Sequence, residues 1–200
     1  MAFFEPPPSP PPEPEPEPVR FPWMRPEDVL GAVVPVNFVL ARTEEVAVAV
    51  WGITVFNDGF EFSVACLAKT RQRHRLRMHQ FELMHQVRAG GAIPDEFLRF
   101  GISCADDTTV TNLRPGFDWG THTADGDHTS PSAAQRVLMP GGGGGSDRQW
   151  TQTYWCWPLP PPGPVTFVCE WPAFGIGETR HEIDSGPIRE AASRSTPIWP

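Results

Sequence analysis

The sequence predicts an all-β protein, an antiparallel β-sandwich of immunoglobulin-like type with a disordered proline-rich N-terminal tail and a short C-terminal helix. Three observations carry that expectation. Val46 to Phe56 and Phe60 to Lys69 flank Asn57-Asp58-Gly59, residues that accept the positive φ of a tight turn, so the pair reads as a hairpin. In its second arm Phe60, Phe62, Val64, Cys66 and Ala68 share one face while Glu61, Ser63 and Lys69 share the other, the alternation of a sheet with one buried side. Turn residues then recur between about seven or eight short apolar runs, with hardly any helical periodicity, as in a two-sheet fold.

Composition divides the chain. It has 200 residues with 25 prolines, 18 glycines and a net charge of −8. That length buries a core without help from disulfides or metals, and the acidic balance argues against general nucleic-acid affinity. Residues 1–25 are expected to be a disordered Pro/Glu-rich tail, since PPPSPPPEPEPEP at Pro6 to Pro18 has nothing to bury and favours an extended polyproline II form. Residues 26–200 are expected to form a single domain with flexible insertions at about 70–92 and 114–147. Met1 to Glu5 carry no basic residue, and no apolar run reaches signal or membrane length, which predicts a cytoplasmic protein with no membrane partner. There Cys66, Cys104, Cys156 and Cys169 should be thiols; their spacing fits no zinc site, and no cofactor is implied.

Taken in order, Phe3, Phe4, Phe21, Trp23 and Met24 flank the proline-rich segment and could anchor its ends on the body. Val33 to Arg42 opens the folded part, with Pro35 suiting an edge or a strand start. The hairpin follows. Arg71 to Arg88 breaks the pattern with five arginines and three histidines and reads as a solvated excursion. Glu96 to Ala105 and Thr108 to Leu113 are strands about an Asp106-Asp107 turn. From Arg114 to Gly145 periodicity is lost, and the closing Gly141 to Gly145 run reads as a flexible loop because no Lys-Ser or Lys-Thr follows it. The last helix begins at Asp184 or Ser185 as N-cap, with Pro187 in its first turn and Ile188, Ala191 and Ala192 buried; Ile198-Trp199 would pin the terminus.

Trp150 to Pro172 holds four of the eight tryptophans and two of the four cysteines. It reads as a hairpin of Trp150 to Trp157 with Val165 to Trp171. Val165, Phe167, Cys169 and Trp171 form the face to be buried. One register sets Cys156 opposite Cys169, turns Trp150, Tyr154 and Cys156 inward, and leaves Trp155 and Trp157 as a partner surface; the other buries Trp155 and Trp157, and burial of two indoles favours it.

Candidate sites are sparse. No serine or cysteine sits in a nucleophile elbow, although His181 with Asp184 resembles half of a triad. His122, Asp125, Asp127 and His128 have divalent-ion chemistry without the spacing of a known loop. Arg71, Arg73, Arg75 and Arg77 could meet a polyanion.

FEPPPSPPPEPEP (Phe4 to Pro18), PEDVLGAVVPVNFVLAR (Pro26 to Arg42), FLRFGISCADDTTVTNL (Phe97 to Leu113), WCWPLPPPGPVTFVCEWPAFGIGET (Trp155 to Thr179) and IREAA (Ile188 to Ala192) resemble a family of uncharacterised actinobacterial proteins. That resemblance implies a soluble bacterial protein and transfers no activity, ligand or catalytic residue.

The sequence therefore favours a non-enzymatic interaction or scaffold module, with a protein partner reached through the proline-rich tail or the tryptophan segment. Two alternatives stay open: a metal-dependent hydrolase or small-ligand binder using the 114–146 loop, and polyanion binding through the 71–77 arginines. Metal binding predicts a thermal upshift with Zn²⁺, Mn²⁺ or Ca²⁺. Polyanion binding predicts an affinity that falls steeply with salt, measurable by titration with heparin or DNA.

Overall fold

The computed structural model describes residues 21, 23–70, 80, 83, 86–87, 91–113 and 135–199. Among these lie β1 (Val29–Leu30), β2 (Ala32–Val34), β3 (Phe38–Arg42), β4 (Val46–Val55), β5 (Phe60–Ala68), β6 (Arg99–Cys104), β7 (Thr109–Thr111), β8 (Val137–Gly145), β9 (Gln149–Trp157), β10 (Pro164–Trp171), β11 (Ile176–Asp184) and β12 (Thr196–Pro197), with helix α1 (Gly186–Ala192) before the last. The class is all-β and every pairing is antiparallel. The larger sheet runs β2-β4-β5-β9-β8, with β3 also on β4; the smaller runs β11-β10-β6-β7; β1 and β12 make a two-stranded ribbon.

The inner faces of the two main sheets share one core. Phe62 of β5 meets Phe100 of β6 at 5.8 Å between ring centroids and Phe167 of β10 edge-on at 5.3 Å, while Tyr154 of β9 stacks on both Phe62 and Phe100. Alternation along β5 puts Phe60, Phe62, Val64, Cys66 and Ala68 into this core as their spacing predicts, and Val165, Phe167, Cys169 and Trp171 enter from the other side. On β4 the inward residues are Val46, Val48 and Val50, then Ile53 and Val55. The parity changes at a bulge between Trp51 and Thr54, where Gly52 has φ +68° and its N–H donates to Asn37 Oδ1. A glycine allows that backbone, and the extra residue turns Ile53 back toward the core.

The tryptophan-rich stretch is not a hairpin. β9 pairs with β5 and β8, β10 pairs with β6 and β11, and Pro158 to Gly163 carries the chain from one sheet to the other. Cys156 therefore lies opposite Phe60 and Leu138, and Cys169 opposite Phe100 and Thr179. The physical reason is that both strands have an apolar face needing the same core from opposite sides. The prolines of the crossover lack amide donors, and two of their carbonyls are taken at α1: Ser185 Oγ donates to Pro161 O at 2.8 Å and Arg189 Nη1 to Pro160 O at 2.9 Å. Ser185 is thus the N-cap residue by position, but its hydroxyl serves the crossover instead of the helix amides.

Three further expectations are corrected. Gly141 to Gly145 is not a loop but the second half of β8, because backbone pairing with β9 needs no side chain; the bulge after Pro140 is held by Gln152 Nε2, which donates to Gly141 O at 2.8 Å and Gly142 O at 3.3 Å. The end of the 71–88 segment is docked, with helical backbone at Gln80, Leu83, Gln86 and Val87. Gln80 Nε2 donates to Glu96 O at 2.6 Å, its Oε1 accepts from Leu98 N at 3.0 Å, and Leu83 packs on Phe97. At the C-terminus Trp199 is 71% exposed; the tie there is backbone pairing of β12 with β1 and Ile198 N–H donating to Asp28 O. Of α1, Ile188 and Ala191 are fully buried and Ala192 partly.

A Cβ added at Gly142 or Gly144 meets nothing within 4 Å, whereas one at Gly145 runs into the Gln149 and Trp150 backbone. Gly142→Ala and Gly144→Ala should change unfolding free energy by less than about 0.5 kcal/mol, and Gly145→Ala should lower it by about 1–3 kcal/mol. Urea unfolding measures the contrast; uniformly small effects at all three would return the run to a loop.

Candidate functional site

Outward residues of β9 include Trp155, which lies opposite Glu61 of β5 and Met139 of β8. It points away from the inter-sheet core, yet is only 3% exposed. The cover is the segment Phe21 to Arg25, which immediately follows the proline-rich stretch. Trp155 Nε1 donates to Trp23 O at 2.9 Å. Trp23 is itself buried and stacks on Phe21 at 5.3 Å and 9°. Phe56 meets Trp155 edge-on at 5.6 Å. Arg25 completes the clamp, its Nε 2.8 Å from Glu61 Oε2 and its guanidinium 4.8 Å above the Phe56 ring, a cation on the negative face of the aromatic system.

Local sequence explains why the indole fits. Gly59 closes the β4–β5 turn, and any Cβ there would strike the Trp155 ring and Cys156 O. The turn thus needs glycine for close approach, so that the large ring can lie across it. Neighbouring Trp157 is half-buried. Burial pushes the Asp58 carboxyl above its ordinary range, and the Trp157 side chain, hydrogen-bonding to it, partly offsets the rise.

The observed inward set of β9, Trp150, Tyr154 and Cys156, is the one expected when Cys156 faces Cys169, although those strands do not pair. Trp155 and Trp157 are outward, which corrects the favoured register. Trp155 is removed from solvent by the chain's own N-terminal segment rather than by the core. Phe21 and Trp23 anchor the tail's end as their apolar character suggests, while Met24 is exposed. Within the stretch assigned to the tail, Phe21 and Trp23 thus lie packed against one another.

The metal candidates His122, Asp125, Asp127 and His128 and the polyanion candidates Arg71, Arg73, Arg75 and Arg77 lie outside the described residues, as does the proline-rich stretch with Phe3 and Phe4. Among the described residues no cluster of three His, Cys, Asp or Glu side chains is placed to hold a metal ion, and no helix is long and apolar enough to cross a membrane. His181 does not complete a triad; its ring stacks on Phe38 at 3.9 Å and 13°. The outer face of the smaller sheet holds an open groove of about 370 Å³ lined by Arg99, Ser103, Thr109, Thr111, Glu170 and Arg180 among others. Its charges are matched within the chain, Arg99 with Glu170 and Arg180 with Glu178, each at 2.7 Å.

Trp155→Phe keeps a buried ring but removes the donor to Trp23 O, and should cost about 1–2 kcal/mol of stability. It should also raise amide exchange at residues 23–25 while leaving the β5–β9 ladder protected. Hydrogen exchange read by mass spectrometry checks both, and unchanged protection at residues 23–25 would mean that the clamp does not hold this segment.

Compared with family models, curated proteins and solved structures, the chain gives no match.

Proposed function

We propose that this chain is a non-enzymatic interaction module, an immunoglobulin-like β-sandwich that fixes the base of a proline-rich arm and presents the arm to a protein partner. The observation that carries the reading is the clamp of Trp155 on Trp23, which sets a rigid point of departure directly after the proline-rich stretch. Strand order supports the architecture. With β4, β5, β6, β7, β8, β9, β10 and β11 taken as A, B, C, C′, D, E, F and G, the sheets read ABED and GFCC′, the arrangement of immunoglobulin domains with one added strand.

The arm's own chemistry names the kind of partner. PPPSPPPEPEPEP favours polyproline II before binding, so little ordering entropy is lost on capture by a groove lined with aromatic rings. Glu13, Glu15 and Glu17 add a charge pattern that fits a basic rim on such a groove. Anchoring at residue 21 keeps one end of the arm in place, which reduces what is lost when the other end is held.

The test compares the full chain with a chain starting at residue 21, which retains the clamp. Each is titrated by fluorescence into a panel of SH3, WW and EVH1 domains, the aromatic-groove readers of proline-rich segments. The expected result is binding by the full chain that weakens with salt and is lost on truncation. Equal behaviour of the two chains across the panel would remove the arm from the function.

A further inference from the structure

Thr54, Glu61, Trp155 and Met139 form a row across β4, β5, β9 and β8 of the larger sheet. Followed backward, the N-terminal segment runs along this row. Gly31 lies against Thr54, Arg25 reaches Glu61, and Trp23 meets Trp155. The one position left is Met139 on β8, the last strand of the sheet on that side. The chain before Phe21 therefore starts one strand away from a sheet edge, with 20 residues of sequence preceding it.

That edge has free backbone groups. Ser146 N–H donates to Gln149 O at 2.7 Å, closing the β8–β9 turn. From there the antiparallel register sets Gly145 opposite Trp150, Gly144 opposite Thr151 and Gly143 opposite Gln152. Bonded and non-bonded pairs alternate along such a ladder, so Gly144 directs its N–H and C=O to β9, while Gly143 and Gly145 direct theirs outward. Among the described residues no strand takes them up, although exposed edges of this kind are normally covered or blocked. Two cations stand beside the turn, Arg148 and Lys69, with Arg148 Nη2 donating to Lys69 O at 2.6 Å. Among the described residues neither has a carboxylate within 4 Å.

We propose that the chain's own Glu13 to Glu17 segment docks on this edge as an added antiparallel strand, with Glu17 opposite Gly143 and Glu15 opposite Gly145. In Glu13-Pro14-Glu15-Pro16-Glu17-Pro18 a backbone donor occurs at every second residue. An extended strand directs the N–H and C=O of alternate residues to the same side. All three glutamates thus face one neighbour, and every proline falls on the side where no donor is needed. Each glutamate also precedes a proline, which keeps it extended. Such a segment pairs once and blocks any further strand. Its length suffices: from Trp23 to Glu17 the chain can extend about 20 Å, and Gly143 lies about 13 Å along β8 from Met139 and about 10 Å sideways from the line of β9. Beyond Gly145, Glu13 comes beside Arg148 and Lys69, where its charge is matched. This pairing does not depend on the arm having a partner, and it leaves Pro6 to Pro12 free for one.

Amide exchange of the folded full chain, followed residue by residue by NMR, tests the pairing. The comparison is with a full-length Glu15→Pro, Glu17→Pro variant, which loses both donors and sets ring atoms against the edge, yet keeps the arm proline-rich. Gly143 and Gly145 should exchange about tenfold faster in the variant. Gly144, bonded to β9, should be unchanged and reports that the fold is intact. Fast exchange at Gly143 and Gly145 in both chains would overturn the proposal, and so would protection that survives in the variant. Because Pro6 to Pro12 are untouched, binding to SH3, WW and EVH1 domains is read separately: its failure would remove the partner while protected glycines still establish the added strand.

Discussion

The ring of Phe62 is where the two sheets become one body. It lies within 6 Å, centroid to centroid, of Phe100 and Phe167 from the smaller sheet and of Tyr154 from its own. Edge-to-face and offset contacts of this kind add to what burial of large aromatic area already contributes. The requirement that both inner faces meet there determines much of the rest. It sets the parity of β5, β9 and β10, the Gly52 bulge that restores parity on β4, and the separation of β9 from β10 into different sheets.

That separation reshapes the tryptophan-rich stretch. A chain that leaves one sheet at Trp157 and enters the other at Pro164 must bridge the gap between sheets, roughly 10 Å for packed faces. Its prolines suit the task because a bridging segment has no ladder to join. The carbonyls of Pro161 and Pro160 are satisfied by Ser185 and Arg189, so the last helix is built into the crossover rather than merely placed over it. On the opposite surface, the same β9 that supplies Tyr154 to the core offers Trp155 outward to Trp23. One strand thus links the central packing to Trp23, in the segment that follows the proline-rich sequence.

Local chemistry made part of this legible in the sequence. Asn57-Asp58-Gly59 and the alternation that follows specify a hairpin without reference to anything distant, and the inward faces of β5 and β10 follow from period two alone. Pairing across long sequence separation was not legible. β9 and β10 are close in sequence, which suggests a hairpin, whereas their neighbours are set by the shared core. The second half of β8 is hidden in the sequence because glycine carries no side-chain signal and Gly143 to Gly145 are strand through pairing with β9. The clamp was half legible: an apolar Phe21-Pro22-Trp23 beside a polar tail suggests an anchor, but nothing local points to Trp155, 132 residues away.

The tryptophan-rich segment is divided between two sheets, and its outward indole is tied to Trp23. Cross-strand nuclear Overhauser contacts in an NMR assignment of the full chain test it most directly. The account predicts contacts between Trp155 and Glu61 and between Phe167 and His181, together with a contact from the Trp155 indole proton to Trp23 or Met24. A continuous ladder of contacts between residues 150–157 and 165–171, with the Trp155 indole distant from Trp23, would contradict it.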